Sequence, residues 1–289
     1  MGAGFFKGLW APMRPLPVGR AAFVLVASLV AGFLVASLLS AAAFAVTGGW
    51  GLALVLNSLV CFGVPGVVAR RCVMGVRSRV GVSVPGSSLV IILGILALVC
   101  QPVVQWAAYL DRVFYEAVWG GAESMASQSA AVMASVCRFD TVWHWAEAVV
   151  VLALLPAVCE EAFFRGALLP LVRRATGSWH VAVVVSALIF SLVHLDATAF
   201  LARAVLGCLL GVVFVQTRSL LASMLLHFCN NLLVVIALSE SDDVVKTLTA
   251  PAELPSLKLS LLSLAFIFFE VYYISAITKM RAAIRKDSR

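Results

Sequence analysis

Apolar residues run along this chain in long, nearly unbroken blocks, separated by short clusters of glycine, proline and charge. Eight blocks reach the roughly 17–25 residues that a helix needs to cross a bilayer. They fall at about 21–46, 50–70, 88–110, 145–169, 178–196, 199–217, 219–239 and 257–279. Gly48–Gly49, Pro85–Gly86, Pro251 and Pro255 mark the connections. The longest connection, 111–143, contains SMASQSAAVMASV (124–136), a candidate short interfacial helix. The pattern predicts an all-α, polytopic membrane helix bundle of about eight transmembrane helices, with no internal repeat and no soluble domain.

Composition removes the alternative of a water-soluble fold. The 289 residues are 63% hydrophobic and 12% charged, with a mean hydropathy of +1.06. A soluble domain carries about 25% charged residues. The net charge of +7 therefore points to topology rather than to nucleic acid. Lys7, Arg14 and Arg20 precede the first span, and Arg70, Arg71, Arg77 and Arg79 follow the second. Arg173 and Arg174 follow the fourth, Arg218 the sixth, and Lys279, Arg281, Arg285 and Lys286 the eighth. The other connections carry Asp111, Glu116, Glu123, Asp140, Asp196, Glu240, Asp242, Asp243 and Glu253. This alternation places both termini in the cytoplasm. The first span reads as retained rather than as a cleaved signal peptide, and Phe6 breaks the myristoylation pattern. Seven cysteines without a CxxC read as small hydrophobes.

Against this background, PAVCEEAFFRGALLP (156–170) is anomalous, because Glu160, Glu161 and Arg165 interrupt the fourth span. A charge at a helix centre costs about 2.5–3.5 kcal/mol on insertion scales. Glu161 and Arg165 are one turn apart and can pair along one face. A bland reading is that the pair neutralises itself and glues helices together. Pro156 removes a backbone hydrogen bond close to the carboxylates. Two further spans add polar pairs at one-turn spacing: Phe190 with His194, and His227 with Asn231. His144 and His180 lie near span ends. Three spans each delivering such groups point to a site.

The set EExxxR, FxxxH and HxxxN resembles the motifs of the CPBP family, the type II CAAX prenyl endopeptidases with their bacterial Abi and bacteriocin-immunity relatives. The resemblance covers about residues 145–240. It divides the chain into N-terminal spans and loop (1–144), a CAAX-protease-like core (145–240), and a last span with a basic tail (241–289). It implies an intramembrane endopeptidase acting on a membrane-associated or lipidated protein or peptide, with the bilayer as its other partner and no nucleic acid. A bacterial inner (cytoplasmic) membrane is the expected location.

Hydrolysis needs a base to activate water and donors for the oxyanion. Glu160 suits the base and His194 can help to position the water. His227 and Asn231 can donate to the carbonyl oxygen, and Arg165 can brace Glu161. A zinc version would use Glu160, His194 and His227 as ligands. No HExxH is present, and an asparagine suits an oxyanion better than zinc, so no cofactor is favoured and zinc is the alternative. Serine and aspartate schemes find no GxSG or GxGD. A non-catalytic immunity, scaffold or transport protein is the other class. One mismatch remains: with α-helical rise, His194 comes out about 24 Å from the cytoplasmic end of its span and Glu160 only about 15 Å from its own.

The topology is testable by labelling with a membrane-impermeant thiol reagent. Thr176→Cys and Lys246→Cys should react from opposite sides; reaction of both from the outer side would overturn the assignment.

Overall fold

The computed structural model describes residues 15–75, 85–241, 243, 244, 246 and 256–287. Phe6, Lys7, Arg14, Arg77, Arg79, Asp242, Pro251, Glu253 and Pro255 lie outside them, as do the side chains of Lys279, Arg281, Arg285 and Lys286. Every regular element among the described residues is helical. The helices are α1 (Val18–Thr47), α2 (Trp50–Met74), α3 (Ser87–Val118), α4 (Ala122–Val136), α5 (Val142–Thr176), α6 (Trp179–Leu192), α7 (Phe200–Thr217), α8 (Leu220–Ser239) and α9 (Leu257–Asp287). Seven are long and apolar enough to cross a membrane. α4 covers the stretch expected to form a short interfacial helix.

α6 differs from the expected span 178–196. Its 14 residues reach about 21 Å, short of a bilayer's hydrocarbon thickness of about 30 Å. His194 therefore lies just past the helix end. α5 runs the other way, continuing to Thr176 instead of stopping near 169. Arg173 and Arg174 end the apolar block without ending the helix, because arginine is a good helix former; Gly177, at φ +73°, ends it. The depth mismatch disappears. Glu160 is 16 residues, about 24 Å, from Thr176, and His194 lies at a matching distance from the start of α6.

Prolines shape three of these helices. Each π-helical segment, Ser58–Gly63, Val149–Leu154 and Phe164–Leu168, ends two residues before a proline: Pro65, Pro156 and Pro170. Proline lacks an N–H and its ring crowds the carbonyl four residues back. Widening the preceding turn relieves that crowding while the helix continues. Pro102 instead accompanies a break in α3 at Cys100, whose neighbours would leave carbonyls unpaired in lipid. Side chains meet them: Gln101 donates to the Ala97 carbonyl at 2.8 Å and the Ser263 hydroxyl of α9 donates to that of Val99. α9 turns Ser260, Ser263, Glu270 and Ile274 inward.

The N-terminal helices pack directly on the motif-bearing helix. Phe62 of α2 meets Phe163 and Phe164 of α5 with ring centroids 6.0 and 5.8 Å apart. Phe164 continues to Phe190 of α6 at 5.1 Å, edge to face, a geometry favoured by ring quadrupoles. Gly66 lets α2 approach α5 closely: a Cβ there would stand 2.8 Å from the Phe163 nitrogen and 3.0 Å from the Ala162 carbonyl carbon. α7 is capped from α3, where buried Asp111 accepts from the N–H groups of Leu201 and Ala202 at 2.8 and 3.0 Å. Asp196 and Arg203 pair at 2.6 Å and close the α6–α7 connection.

Gly66→Ala should lower stability by about 1–3 kcal/mol through overpacking against backbone. Gly94→Ala, with nothing within 4 Å of its Cβ, should be neutral or mildly stabilising. Thermal midpoints in one detergent check this, and equal midpoints would contradict the packing.

Candidate active site

α5 presents its charges in two different environments. Glu161 and Arg165 are both fully buried, whereas Glu160 keeps 8% of its surface exposed. Only Glu160 can meet a substrate. Arg165 Nη1 donates to Glu161 Oε1 at 2.6 Å, and Nη2 donates to the Gly207 carbonyl of α7 at 2.7 Å. Its guanidinium also lies over the Phe190 ring, 5.2 Å from the centroid, a cation–π contact. Gly207 also lets α7 pack closely on α6, since a Cβ there would sit 3.1 Å from Ala187 and 3.3 Å from Phe190. Charges this deep require such pairing and hydrogen bonding to be tolerated.

His227 of α8 is 3% exposed and brings Nδ1 to 3.1 Å from Glu161 Oε1. A carboxylate oxygen beside Arg165 accepts, so Nδ1 carries the hydrogen. Nε2 of the same ring lies 3.9 Å from Glu160 Oε2. His194 repeats the logic from the other side. Its Nδ1 is 2.7 Å from the Phe190 carbonyl, which can only accept, so Nδ1 is again the donor. Its Nε2 lies 4.0 Å from Glu160 Oε2. Phe190 holds both rings by edge contacts, at 5.0 Å to His194 and 5.9 Å to His227. Glu160, His194 and His227 are therefore brought together, with Glu161, Arg165 and Phe190 behind them.

Asn231 lies one turn beyond His227 and accepts at Oδ1 from Asn230 Nδ2 at 3.2 Å. Asn230, which the spacing motif skips, is buried and accepts from Gln101 of α3 at 3.0 Å. Asp111 and the Asp196–Arg203 pair also escaped the motif reading. They hold the loop that carries His194; Asp111 and Asp196 read in the sequence only as topology signals, and Arg203 carried no signal there. Next in that loop is Leu195 at φ +54°, a left-handed conformation that costs a non-glycine residue about 1–2 kcal/mol. His144 and His180 sit in the first turns of α5 and α6, at span ends. All seven cysteines are free, and burial pushes the Cys137 thiol up to about 11.

The donor set of two imidazoles and a carboxylate also fits zinc chemically. Both imidazoles have Nδ1 tied to an acceptor, the anchoring that metal-bound histidines use. The separations of 3.9 and 4.0 Å exceed the roughly 3.3–3.4 Å between tetrahedral zinc ligands. They fall short of the roughly 4.5 Å spanned by one water at full hydrogen-bond lengths.

Glu161→Gln should leave Arg165 buried without its counter-charge and cost about 3–5 kcal/mol. Normal expression and an unchanged thermal midpoint would contradict a supporting role for the pair.

Residues 142–233 match the family model of type II CAAX prenyl endopeptidase Rce1-like proteins. No curated protein and no solved structure matches the chain. The matched segment contains all three motifs, and the fold gathers the first two with His227 around a single carboxylate. On that match and that constellation, residues 142–233 of this chain are similar to the type II CAAX prenyl endopeptidases.

Proposed function

We propose that this protein is an intramembrane endopeptidase that hydrolyses a peptide bond of a membrane-associated or lipidated protein or peptide, using water activated by Glu160. The observation that carries this reading is the convergence of His194 Nε2 and His227 Nε2 on Glu160 Oε2 at 4.0 and 3.9 Å. Two such atoms facing a carboxylate require something with hydrogens between them. A water between Glu160 and His194 meets that need on one side once the pair opens from 4.0 Å to the roughly 4.5 Å that one water spans. On the other, charge supplies the answer: Glu160, Glu161 and Arg165 leave one net negative charge, and an imidazolium at His227 neutralises it. His227 then donates from both nitrogens, to Glu161 through Nδ1 and into the site through Nε2.

The chemistry follows. Glu160 takes a proton from the water, and the water oxygen bonds to the carbonyl carbon. The carbonyl oxygen becomes negative, facing His227 Nε2–H and the amide of Asn231. Glu160 passes its proton to the peptide nitrogen as the C–N bond breaks, giving a carboxylic acid and an amine. Donors already in place for the oxyanion cost no reorganisation at that moment. Burial of the site excludes competing water.

Zinc is the second reading, favoured by the anchored imidazoles. Glu160, His194 and His227 would hold the ion, which would supply Lewis-acid activation of water. The CAAX-type substrate class rests on the family match. The proposed location is a bacterial inner membrane with both termini cytoplasmic, supported by the alternation of basic and acidic connections.

With a farnesylated CAAX-type quenched-fluorescence peptide, Glu160→Gln should abolish turnover while retaining the thermal midpoint and peptide binding, since an amide cannot accept the proton. His194→Ala should be nearly as damaging. Asn231→Ala should lose about 2.7–4 kcal/mol of transition-state stabilisation. Residual Glu160→Gln activity within tenfold of wild type would defeat the reading.

A further inference from the structure

We propose that Gln101, Asn230 and Asn231 form a polarised amide relay, in which Gln101 of α3 is a positioning residue that turns the Asn231 nitrogen toward the scissile carbonyl. This rests on the reading of Asn231 as an oxyanion donor.

The orientation of each amide follows from one fixed end. Gln101 lies 2.8 Å from the Ala97 carbonyl, left without its helical partner by the break in α3. A carbonyl only accepts, so the atom facing it must be the Gln101 nitrogen. The second hydrogen of that nitrogen reaches Asn230 at 3.0 Å, so the Asn230 atom there must be oxygen. Asn230 is 7% exposed, and its nitrogen then faces Asn231 at 3.2 Å. Oxygen is thereby assigned at Asn231, and its nitrogen is left as the donor for the site. Each assignment forces the next.

The polarity matters because Asn231 is useful in only one orientation. With its oxygen toward the site, it would repel a developing oxyanion instead of stabilising it. Asn231 is only partly buried, so its own surroundings leave room for rotation. The relay locks it from behind, using a residue that lies outside the matched segment 142–233. This gives α3 a role in the reaction without contact with substrate.

Gln101→Glu tests the relay by reversing it. A carboxylate there accepts from Asn230, which turns, and Asn231 turns after it. In full-length protein labelled with ¹⁵N at asparagine side chains, in micelles, the Asn231 amide signals, identified by their loss in Asn231→Ala, should move in Gln101→Glu. In Gln101→Leu, a neutral variant that keeps the site filled, they should broaden or double as both orientations become populated. Unmoved Asn231 signals in both variants overturn the proposal. On the farnesylated peptide, Gln101→Glu should lower kcat by about 10²–10³-fold with KM unchanged, the loss expected for one oxyanion donor. It should add nothing further to Asn231→Ala. Additive losses, or a fall in thermal midpoint without a kcat effect, would assign Gln101 a structural role and overturn the relay. If Asn231→Ala keeps full kcat while the signals still move, the oxyanion reading fails and takes the catalytic part of the relay with it.

Discussion

Glu161 Oε1 accepts from Arg165 of its own helix and from His227 of α8, and the site is organised around that shared atom. A carboxylate with no exposed surface is tolerable only when cations and donors meet its charge. Meeting them commits two other groups. Arg165 spends its remaining reach on the Gly207 carbonyl, tying α5 to α7. His227 spends Nδ1, so its ring can present only Nε2 to Glu160. One buried oxygen thus sets a helix contact, a ring orientation and the direction from which the outer carboxylate is approached.

Phe190 plays the complementary apolar part. Its ring lies beneath the guanidinium and touches both imidazoles, and its carbonyl fixes the hydrogen on His194. The bond to that carbonyl lets His194 function beyond the end of a helix too short to span. The left-handed Leu195 and the Asp196–Arg203 clamp then turn the chain into α7. The loop is held by ionic and backbone contacts rather than by lipid-facing length.

Much of this was legible in the sequence. The apolar blocks located the helices, and one-turn spacing paired Glu161 with Arg165 correctly. Hydropathy, however, marks where lipid ends and not where a helix ends. That is why α5 outran its apolar block through Arg173 and Arg174, and why α6 stopped short inside one. Gln101 and Asn230 were missed for another reason. Neutral amides in an apolar span raise no charge signal, and their partnership joins residues 129 positions apart. The π segments before Pro65, Pro156 and Pro170 show the same limit: a proline announces a disturbed turn, while its form depends on neighbouring packing. Asp111 looked like a loop charge because its partners, two helix-end N–H groups, belong to a helix ninety residues later.

We propose that Glu160 activates water with no metal ion beside it. Metal content measured on the same purified preparation that cleaves peptide, before and after chelation, separates this reading from the zinc one. Turnover should persist with metal far below one ion per chain and should be unaffected by the chelator. One zinc per chain, lost together with activity on chelation and restored with it on adding zinc back, would contradict the claim and make Glu160, His194 and His227 its ligands.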